Sequence, residues 1–306
     1  MPRSIGVMRS LGKRVAVVLA TFMIAFGTTT ASAAAYPVEA TYSTTGPYAT
    51  TTGTATDSSG NTYRLYYPSD YAALGFDSPI VTWGNGTDAT PEMYSRLLTH
   101  LASHGFTVIA STLTNTGSGN EIAAGARYLV AQNSAAGSVF NGNLDVNHVA
   151  AVGHSQGAGG ATRAATNNPA LITTLMTFSL PNTTWVGANP NCPTAADCMY
   201  DPSLLTQPTF LTSTRGFLDS VIASPATQTA FYNSISGHAA LGIIQNSEGR
   251  AADHSATQDR NNPGGLLGYA TAWLKYQLRG DTVAAGAFTG TKELVTNTNW
   301  PGSAAK

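Results

Sequence analysis

Short apolar runs alternate with helical patterns along most of the chain. Several of the runs are apolar on both faces, as strands buried in a parallel sheet are. The runs that predict strands are residues 62–68, 79–84, 107–112, 148–155, 171–180, 208–215 and 239–246. The stretches that predict helices are residues 91–104, 120–133, 157–167, 224–234 and 264–281. The Thr-, Ser- and Gly-rich residues before the first run predict loops or edge strands.

This alternation predicts the fold class. Strand and helix in steady succession are typical of an α/β protein whose helices cover both faces of a doubly wound, mostly parallel sheet. The length of 306 residues, with 42% hydrophobic residues, suits one large domain with a sizeable core. Residues 182–206 are polar and hold both cysteines, which predicts a loop insertion rather than a second domain. We therefore expect a single domain over residues 34–306.

The first 33 residues have the pattern of a secretory signal peptide. A basic segment, residues 3–14, precedes an apolar run at 15–26, and the small residues Ala31, Ser32 and Ala33 fit a cleavage site. A membrane anchor is the alternative, but the apolar run has about a dozen residues where a spanning helix needs about 20. We therefore expect a secreted, extracellular protein without stable membrane insertion.

Charge restricts the expected partners. The formal net charge is −1 and the basic residues are scattered. A protein that binds nucleic acid or an anionic membrane would carry a basic patch, so neither partner is expected. The expected partner is a neutral small molecule or a polymer, and we expect the protein to be a monomer.

Two residue pairs invite comparison with metal sites. Cys192 and Cys198 are six positions apart, and in an exported chain a disulfide between them is favoured over a metal site, which needs more ligands. His100 and His104 are one helical turn apart, but they lack the Glu of the zinc-protease pattern. Capping of a helix end is the favoured role for these histidines. No metal or other cofactor is expected.

The stretch Gly153-His154-Ser155-Gln156-Gly157 matches the Gly-x-Ser-x-Gly nucleophile elbow. An apolar strand pattern comes directly before it and a helix pattern directly after it, which is the context that the elbow requires. The chain has neither the Gly-Lys-Ser of a Walker loop nor an acidic residue at the dinucleotide-loop spacing. We predict that Ser155 is a nucleophile on a strained turn, with a plain glycine-rich turn as the alternative.

A nucleophilic serine needs a histidine base, which follows it in the chain order of this kind of fold. Only His238 and His254 follow Ser155. His254 lies in a loop past the predicted strand 239–246, where the base belongs, whereas His238 lies before that strand, at the opposite edge of the sheet. We predict that His254 is the base. His154 is expected to pack beside the elbow.

The acid that orients the base is expected between the serine and the histidine. Asp219 follows the predicted strand 208–215, at the carboxyl edge where the sites of open α/β sheets lie. It is the favoured acid. The alternatives are Asp201, which precedes that strand, and Asp253 and Asp259, which are too close to His254 in sequence to be favoured.

Backbone amides should form the oxyanion hole. One is the N–H of Gln156, directly after the serine, and the other should come from the loop after the strand at 79–84. That loop reads Gly84-Asn85-Gly86-Thr87-Asp88, and the second donor is expected to be Thr87 or its neighbour. The alternative is that Gly-Asn-Gly forms only a tight turn.

Taken together, these residues resemble the secreted bacterial cutinases and polyethylene terephthalate hydrolases of the α/β-hydrolase superfamily. The resemblance is carried by YRLYYPSDY, GNGTDAT followed by LASHGFTVIAST, VGHSQGAGGATRAATNNPAL, PTFLTSTRGFLDS, DHS and GYATAWLKYQL. It covers nearly all of the predicted mature chain. It implies an α/β-hydrolase fold and a serine esterase with an open, shallow cleft. Ser155, Asp219 and His254 would be its triad, and Thr87 its second oxyanion donor.

The sequence departs from the family pattern at three positions of the predicted site. The family usually has an aromatic residue in place of Thr87, a Met in place of Gln156, and a Trp in place of Asn182 after Pro181. These changes predict a more polar site than is typical of a polyester hydrolase.

Three aromatic residues are candidates for rebuilding an apolar wall for substrate: Trp83, Trp185 and Phe217. The inserted loop with its two cysteines is a further departure. The chain also lacks the cysteine pair that family members often have near the C-terminus.

The function predicted from these residues is ester hydrolysis through an acyl-enzyme, with cutin or polyethylene terephthalate among the candidate polymeric substrates. A lipase or short-chain esterase without polymer activity would have the same triad. A peptidase triad would also look the same, although nothing in the sequence favours a peptide substrate. From another functional class, a non-catalytic binding protein of the same fold remains an alternative.

Overall fold

The computed structural model describes residues 1–2, 35–187, 192 and 194–306. Apart from its first two residues, the predicted signal peptide lies outside the described residues, as do five residues of the predicted insertion at 182–206. The described residues from Ala35 onward belong to one compact unit. Within them, the structure has no helix that is both long enough and apolar enough to cross a membrane.

A mostly parallel sheet organises the described residues. Nine strands follow one another across it in the order β1-β2-β4-β3-β5-β6-β7-β8-β11, and β9 pairs with β10 separately. The pairings from β4 through β8 are parallel, while β1, β2 and β11 join antiparallel at the two ends. The strands are β1 Thr50–Thr56, β2 Thr62–Pro68, β3 Ser78–Gly84, β4 Thr107–Ser111, β5 Leu144–His154, β6 Thr174–Phe178, β7 Thr209–Thr214, β8 Ala239–Ile244, β9 Asn246–Ser247, β10 Arg250–Ala251 and β11 Ala304–Ala305.

Helices lie on both faces of this sheet, so the predicted α/β architecture is confirmed. They are α1 Pro37–Ser43, α2 Ser95–Ser103, α3 Asn120–Gln132, α4 Gln156–Asn167, α5 Thr183–Gly187, α6 Ala195–Cys198, α7 Phe217–Ile222, α8 Pro225–Ser234, α9 Gly264–Arg279, α10 Thr282–Ala285 and α11 Glu293–Thr296. The helix predicted at 91–104 is divided, because residues 91–94 form a 3₁₀ turn and α2 begins at Ser95.

Apolar side chains form two cores, one on each face of the sheet. Along β5, Val149 and Ala151 belong to one core, while Ala150 and Val152 belong to the other. Successive side chains of a strand point to opposite faces, so a strand covered on both sides must be apolar at every position. This double burial is why the central strands appear in the sequence as unbroken apolar runs.

The predicted insertion contains more regular structure than a loop. Helices α5 and α6 and a 3₁₀ turn, Pro202–Leu204, lie within it. Cys192 and Cys198 form a disulfide, as predicted, with their Cα atoms 5.8 Å apart. A Thr194 capping box begins α6, because the side chains of Thr194 and Asp197 each bond the other residue's backbone N–H.

Candidate active site

The predicted elbow is a sharp turn between β5 and α4. Ser155 has φ 53° and ψ −123°, a backbone conformation that side-chain-bearing residues rarely adopt. Backbone atoms pack closely against the turn on both sides of Ser155. A Cβ at Gly153 would lie 2.2 Å from the carbonyl oxygen of Gly157, and a Cβ at Gly157 would lie 2.3 Å from the backbone of Gly84. Both glycines are therefore required by close packing, which keeps the serine at the tip of the turn.

Ser155, His254 and Asp219 form a continuous hydrogen-bonded chain. Nε2 of His254 lies 2.8 Å from Oγ of Ser155, and Nδ1 of His254 lies 2.7 Å from Oδ1 of Asp219. The serine follows β5, the aspartate lies on α7 after β7, and the histidine follows β10. Three segments distant in sequence thus meet beyond the carboxyl edge of the parallel strands. A hydroxyl that points at an imidazole held in this way can lose its proton to that imidazole.

The carboxylate of Asp219 is fully buried and well supplied with hydrogen bonds. Besides Nδ1 of His254, it accepts bonds from Oγ of Ser179 at 2.8 Å, Oγ of Ser213 at 3.2 Å and the backbone N–H of Thr214 at 2.8 Å. Burial would raise the pKa of Asp219, but the hydrogen bond and the charge of His254, together with the other donors, hold the pKa below its usual value. The aspartate therefore remains ionised beside the imidazole at neutral pH.

Asp253 holds the segments of both neighbours in place. Its Oδ1 accepts the backbone N–H of His254 at 2.8 Å, that of Leu218 at 2.9 Å and that of Asp219 at 3.2 Å. One carboxylate oxygen thus ties the start of α7 to the histidine loop. The sequence offered Asp253 only as an alternative acid. Proximity to His254 in the chain counted against Asp253 as the acid, and the sequence did not indicate that its partners would be backbone amides.

An open cleft of about 220 Å³ lies in front of Ser155. Thr87 and Gln156, the predicted oxyanion donors, both line it. Gln156 is the first residue of α4, and the first N–H groups of a helix have no intrahelical acceptor. Its side chain is engaged elsewhere, since Oε1 accepts the backbone N–H of Thr116 at 3.0 Å. The polar side chain of Gln156 therefore holds the loop that contains Thr116.

The rest of the cleft is mainly apolar. Its other lining residues are Gly117, Gly159, Pro181, Trp185, Val186, Cys198, Tyr200 and Ile222. Trp185 is 44% exposed and donates its indole N–H to the carbonyl oxygen of Val221 at 3.2 Å, which fixes the ring at the edge of the cleft. The disulfide contributes directly through Cys198. The predicted insertion therefore supplies much of the wall.

The other predicted substrate residues lie in different places. Trp83 is 0% exposed and donates to Oδ1 of Asn85 inside the core, so its prediction as a substrate contact is wrong. Because β3 is covered on both faces, the Trp83 ring packs in the core against the rings of Tyr94 and Phe178 rather than in the cleft. Asn182 binds Thr184 through Oδ1 at the start of α5. Phe217 is 81% exposed at the surface end of α7.

The alternative candidates lie away from this constellation or have other partners. His238 stacks on Trp273 and lies 2.8 Å from the carbonyl oxygen of Lys306. Asp201 accepts the backbone N–H of Ser203, and Asp259 accepts that of Arg96. Each of these three residues bonds a backbone atom of the protein itself.

His100 and His104 bind the end of α1 and the residue that follows it. Their Nε2 atoms lie 2.9 Å from the carbonyl oxygen of Tyr42 and 3.0 Å from that of Thr44. The two histidines thus bond carbonyl oxygens at the C-terminal end of α1, and not those at the end of α2. Among the described residues, no group of three or more His, Cys, Asp or Glu side chains is arranged to hold a metal ion.

A comparison with protein-family models agrees with this architecture. The model described as PETase, PET hydrolase-like, matches residues 29–293, which is most of the chain and includes β1 through β10 and the whole candidate site. The match indicates a hydrolase that acts on esters. The chain therefore belongs to the PET hydrolase-like family.

Proposed function

We propose that this protein is a secreted serine carboxylesterase that hydrolyses its substrate through an acyl-enzyme. The single observation that carries the proposal is the hydrogen-bonded series Ser155 Oγ, His254 Nε2 and Nδ1, and Asp219 Oδ1, with separations of 2.8 and 2.7 Å. Its support is chemical: this order of groups is what a nucleophile, a general base and an orienting acid require.

In the first half of the reaction, Oγ of Ser155 attacks the ester carbonyl carbon while its proton passes to Nε2 of His254. The carbonyl oxygen becomes an anion, which the backbone N–H groups of Gln156 and Thr87 stabilise. His254 then returns the proton to the leaving alkoxide, the C–O bond breaks, and the alcohol departs. Asp219 keeps Nδ1 protonated and stabilises the imidazolium formed on the way.

In the second half, water attacks the acyl-enzyme and gives a proton to His254. The bond to Oγ breaks, the acid is released, and the proton returns to Ser155. The base thus handles one proton in each half, and the enzyme ends in its starting state.

The walls of the cleft support a proposal for the substrate class. The cleft is open and its lining is mostly apolar, with Trp185 at its edge, which suits the acyl or aromatic part of an ester. An open cleft also leaves room for a polymer chain that extends beyond it. We therefore propose polymeric esters, such as cutin or polyethylene terephthalate, as substrates alongside small ones.

Secretion is part of the same proposal. A disulfide in the described residues fits an oxidising compartment. The basic and apolar N-terminal pattern accounts for export. N-terminal sequencing of protein recovered from culture medium tests it, because export with cleavage predicts a chain that starts near Ala34.

Ser155→Ala tests the mechanism. The wild-type protein should hydrolyse p-nitrophenyl esters and be labelled by a fluorophosphonate probe, and the variant should lose labelling and at least about 10³-fold in kcat. Ser220→Ala is a suitable control, because Ser220 is an exposed residue of α7. If Ser155→Ala still hydrolysed esters, the serine mechanism would be contradicted. A wild-type protein that neither turns over esters nor reacts with the probe would favour the non-catalytic binding protein.

The polymeric substrate needs its own assay. Soluble products released from cutin or from an amorphous polyester film should appear with the wild type and not with Ser155→Ala. Turnover of soluble esters without release from any film would leave a short-chain esterase and exclude the polymer proposal. Trp185→Ala should raise KM for aromatic esters more than for acetate esters, since its ring lies at the edge of the cleft.

A further inference from the structure

A buried chain of hydrogen bonds joins two of the loops that surround the cleft. The backbone N–H of Gly86 donates to the hydroxyl oxygen of Tyr94 at 3.1 Å. That hydroxyl lies 2.9 Å from Nδ1 of His154, and Nε2 of His154 lies 2.7 Å from the carbonyl oxygen of His254. Tyr94 and His154 are both buried. The chain thus connects the loop that carries a predicted oxyanion donor to the loop that carries the predicted base.

The chemistry of these groups gives each hydrogen bond one direction. The carbonyl oxygen of His254 can only accept, so Nε2 of His154 carries a proton and donates. Burial, and then the neighbouring His254, lower the pKa of His154 to about 3, so its ring is neutral at neutral pH and Nδ1 accepts. The Tyr94 hydroxyl must then donate to Nδ1, which leaves its oxygen free to accept from Gly86. All four groups are satisfied in this single arrangement.

Close packing adds rigidity to the chain. A Cβ at Gly86 would lie 2.9 Å from Nδ1 of His154 and 3.1 Å from the Tyr94 hydroxyl, so only glycine lets the loop come this close. The ring of His154 lies between two others, with centroids 5.7 Å from that of Tyr94 and 5.0 Å from that of His254. Movement of either loop would therefore break a bond or create a clash.

We propose that Tyr94 and His154 are positioning residues that hold the loops of Thr87 and His254 at a fixed separation on either side of the nucleophile. Ester hydrolysis needs the oxyanion donor and the base aligned on the same carbonyl group. A small misplacement of either one costs rate at the chemical step more than it costs binding. This inference rests on the proposed function, because it gives the two loops their roles.

Tyr94→Phe removes one hydroxyl and with it two bonds of the chain. Tyr66→Phe is the matched control, since Tyr66 is a buried tyrosine of the same core whose hydroxyl bonds Pro91 and Ser95 instead. Both variants should lose similar stability. With a soluble ester, Tyr94→Phe should lower kcat about tenfold and leave KM within about twofold, whereas Tyr66→Phe should leave both near wild type.

Variants at His154 separate the hydrogen bond from the volume of the ring. His154→Gln keeps an N–H that can reach the His254 carbonyl and an oxygen that can accept from Tyr94. His154→Leu keeps neither. The glutamine variant should retain several times the kcat of the leucine variant, and equal kcat values in the two folded variants would contradict a hydrogen-bonding role.

An NMR measurement without substrate tests the chain of hydrogen bonds independently of ester turnover. The proton between His254 Nδ1 and Asp219 should give a downfield proton NMR resonance, and a loosened histidine loop should broaden it by faster exchange with water. We expect broadening in Tyr94→Phe and a sharp line in Tyr66→Phe. A sharp line and an unchanged kcat in Tyr94→Phe would overturn the positioning role. Failure of the proposed function would appear instead as turnover in Ser155→Ala.

Discussion

Asp219→Asn changes one charge and one hydrogen-bonding group at almost constant shape. Oδ2 of Asp219 accepts the backbone N–H of Thr214 at 2.8 Å, and that N–H can only donate. The asparagine must therefore keep its carbonyl oxygen toward Thr214 and turn its NH₂ group toward His254. Nδ1 of His254 then has to accept, which moves the ring proton to Nε2. Ser155 would face a donor where it needs an acceptor.

The size of the effect follows from this change of tautomer. We expect kcat to fall about 10⁴-fold, which is about 5 kcal/mol in the activation barrier. KM should change little, because Asp219 is fully buried and does not line the cleft. Stability at neutral pH should also fall, by about 2 kcal/mol, since the ionised carboxylate accepts bonds that an amide accepts more weakly.

Steady-state kinetics with a soluble p-nitrophenyl ester, together with thermal unfolding, measure both effects. Asp201→Asn is the matched control, because Asp201 is exposed and accepts the backbone N–H of Ser203. It should keep kcat within about twofold. If folded Asp219→Asn retained more than a tenth of the wild-type kcat, the tautomer argument would be refuted. A large loss of kcat in Asp201→Asn would indicate that Asp201 is the orienting acid.

Two further predictions concern stability. Replacing Cys192 and Cys198 by serine opens a short loop and should cost up to about 2 kcal/mol by chain entropy; Tm should fall and should no longer respond to reductant, and an unchanged Tm would count against it. Burial is the main cause that lowers the pKa of His104 from 6.5 to about 4, so the unfolded chain takes up its proton first as pH falls. The contribution of His104 to the free energy of unfolding, about 3 kcal/mol, is therefore complete above pH 6.5 and is lost as pH falls from about 6.5 to 4. Urea unfolding of the wild type and of His104→Gln across that pH range measures this contribution. If both proteins lost the same free energy of unfolding, the prediction would be contradicted.

The fold could be predicted from the sequence where the local pattern and the tertiary environment agree. The strand predicted at 62–68 has the same bounds as β2, and the central runs are apolar because both sheet faces are covered. Strand β1 was harder to identify, since its Thr-rich sequence lies at the sheet edge and only Ala55 within it is buried. An edge strand with one partner has little apolar pattern to reveal it.

The candidate site could be predicted as far as the order of residues in the chain and the positions of the strand ends determine it. Those two rules selected Ser155, Asp219 and His254, which the structure brings within hydrogen-bond distance. They could not show that Trp83 points into the core, because the face of a doubly buried strand is not readable from its apolar run. The backbone contacts of Asp253 also depend on loops whose approach no local pattern encodes.

Helix α7 places buried and exposed groups within two residues of each other. Asp219 is fully enclosed, while Phe217 is 81% exposed and Val221 is 49% exposed. Substitutions on the outer side of this short helix meet solvent rather than the core. If the proposed polymeric substrate is hydrolysed, its contact with the protein could therefore be adjusted one residue at a time beside Asp219 without repacking the interior. Helix α7 is thus a suitable starting point for engineering affinity for polymer surfaces.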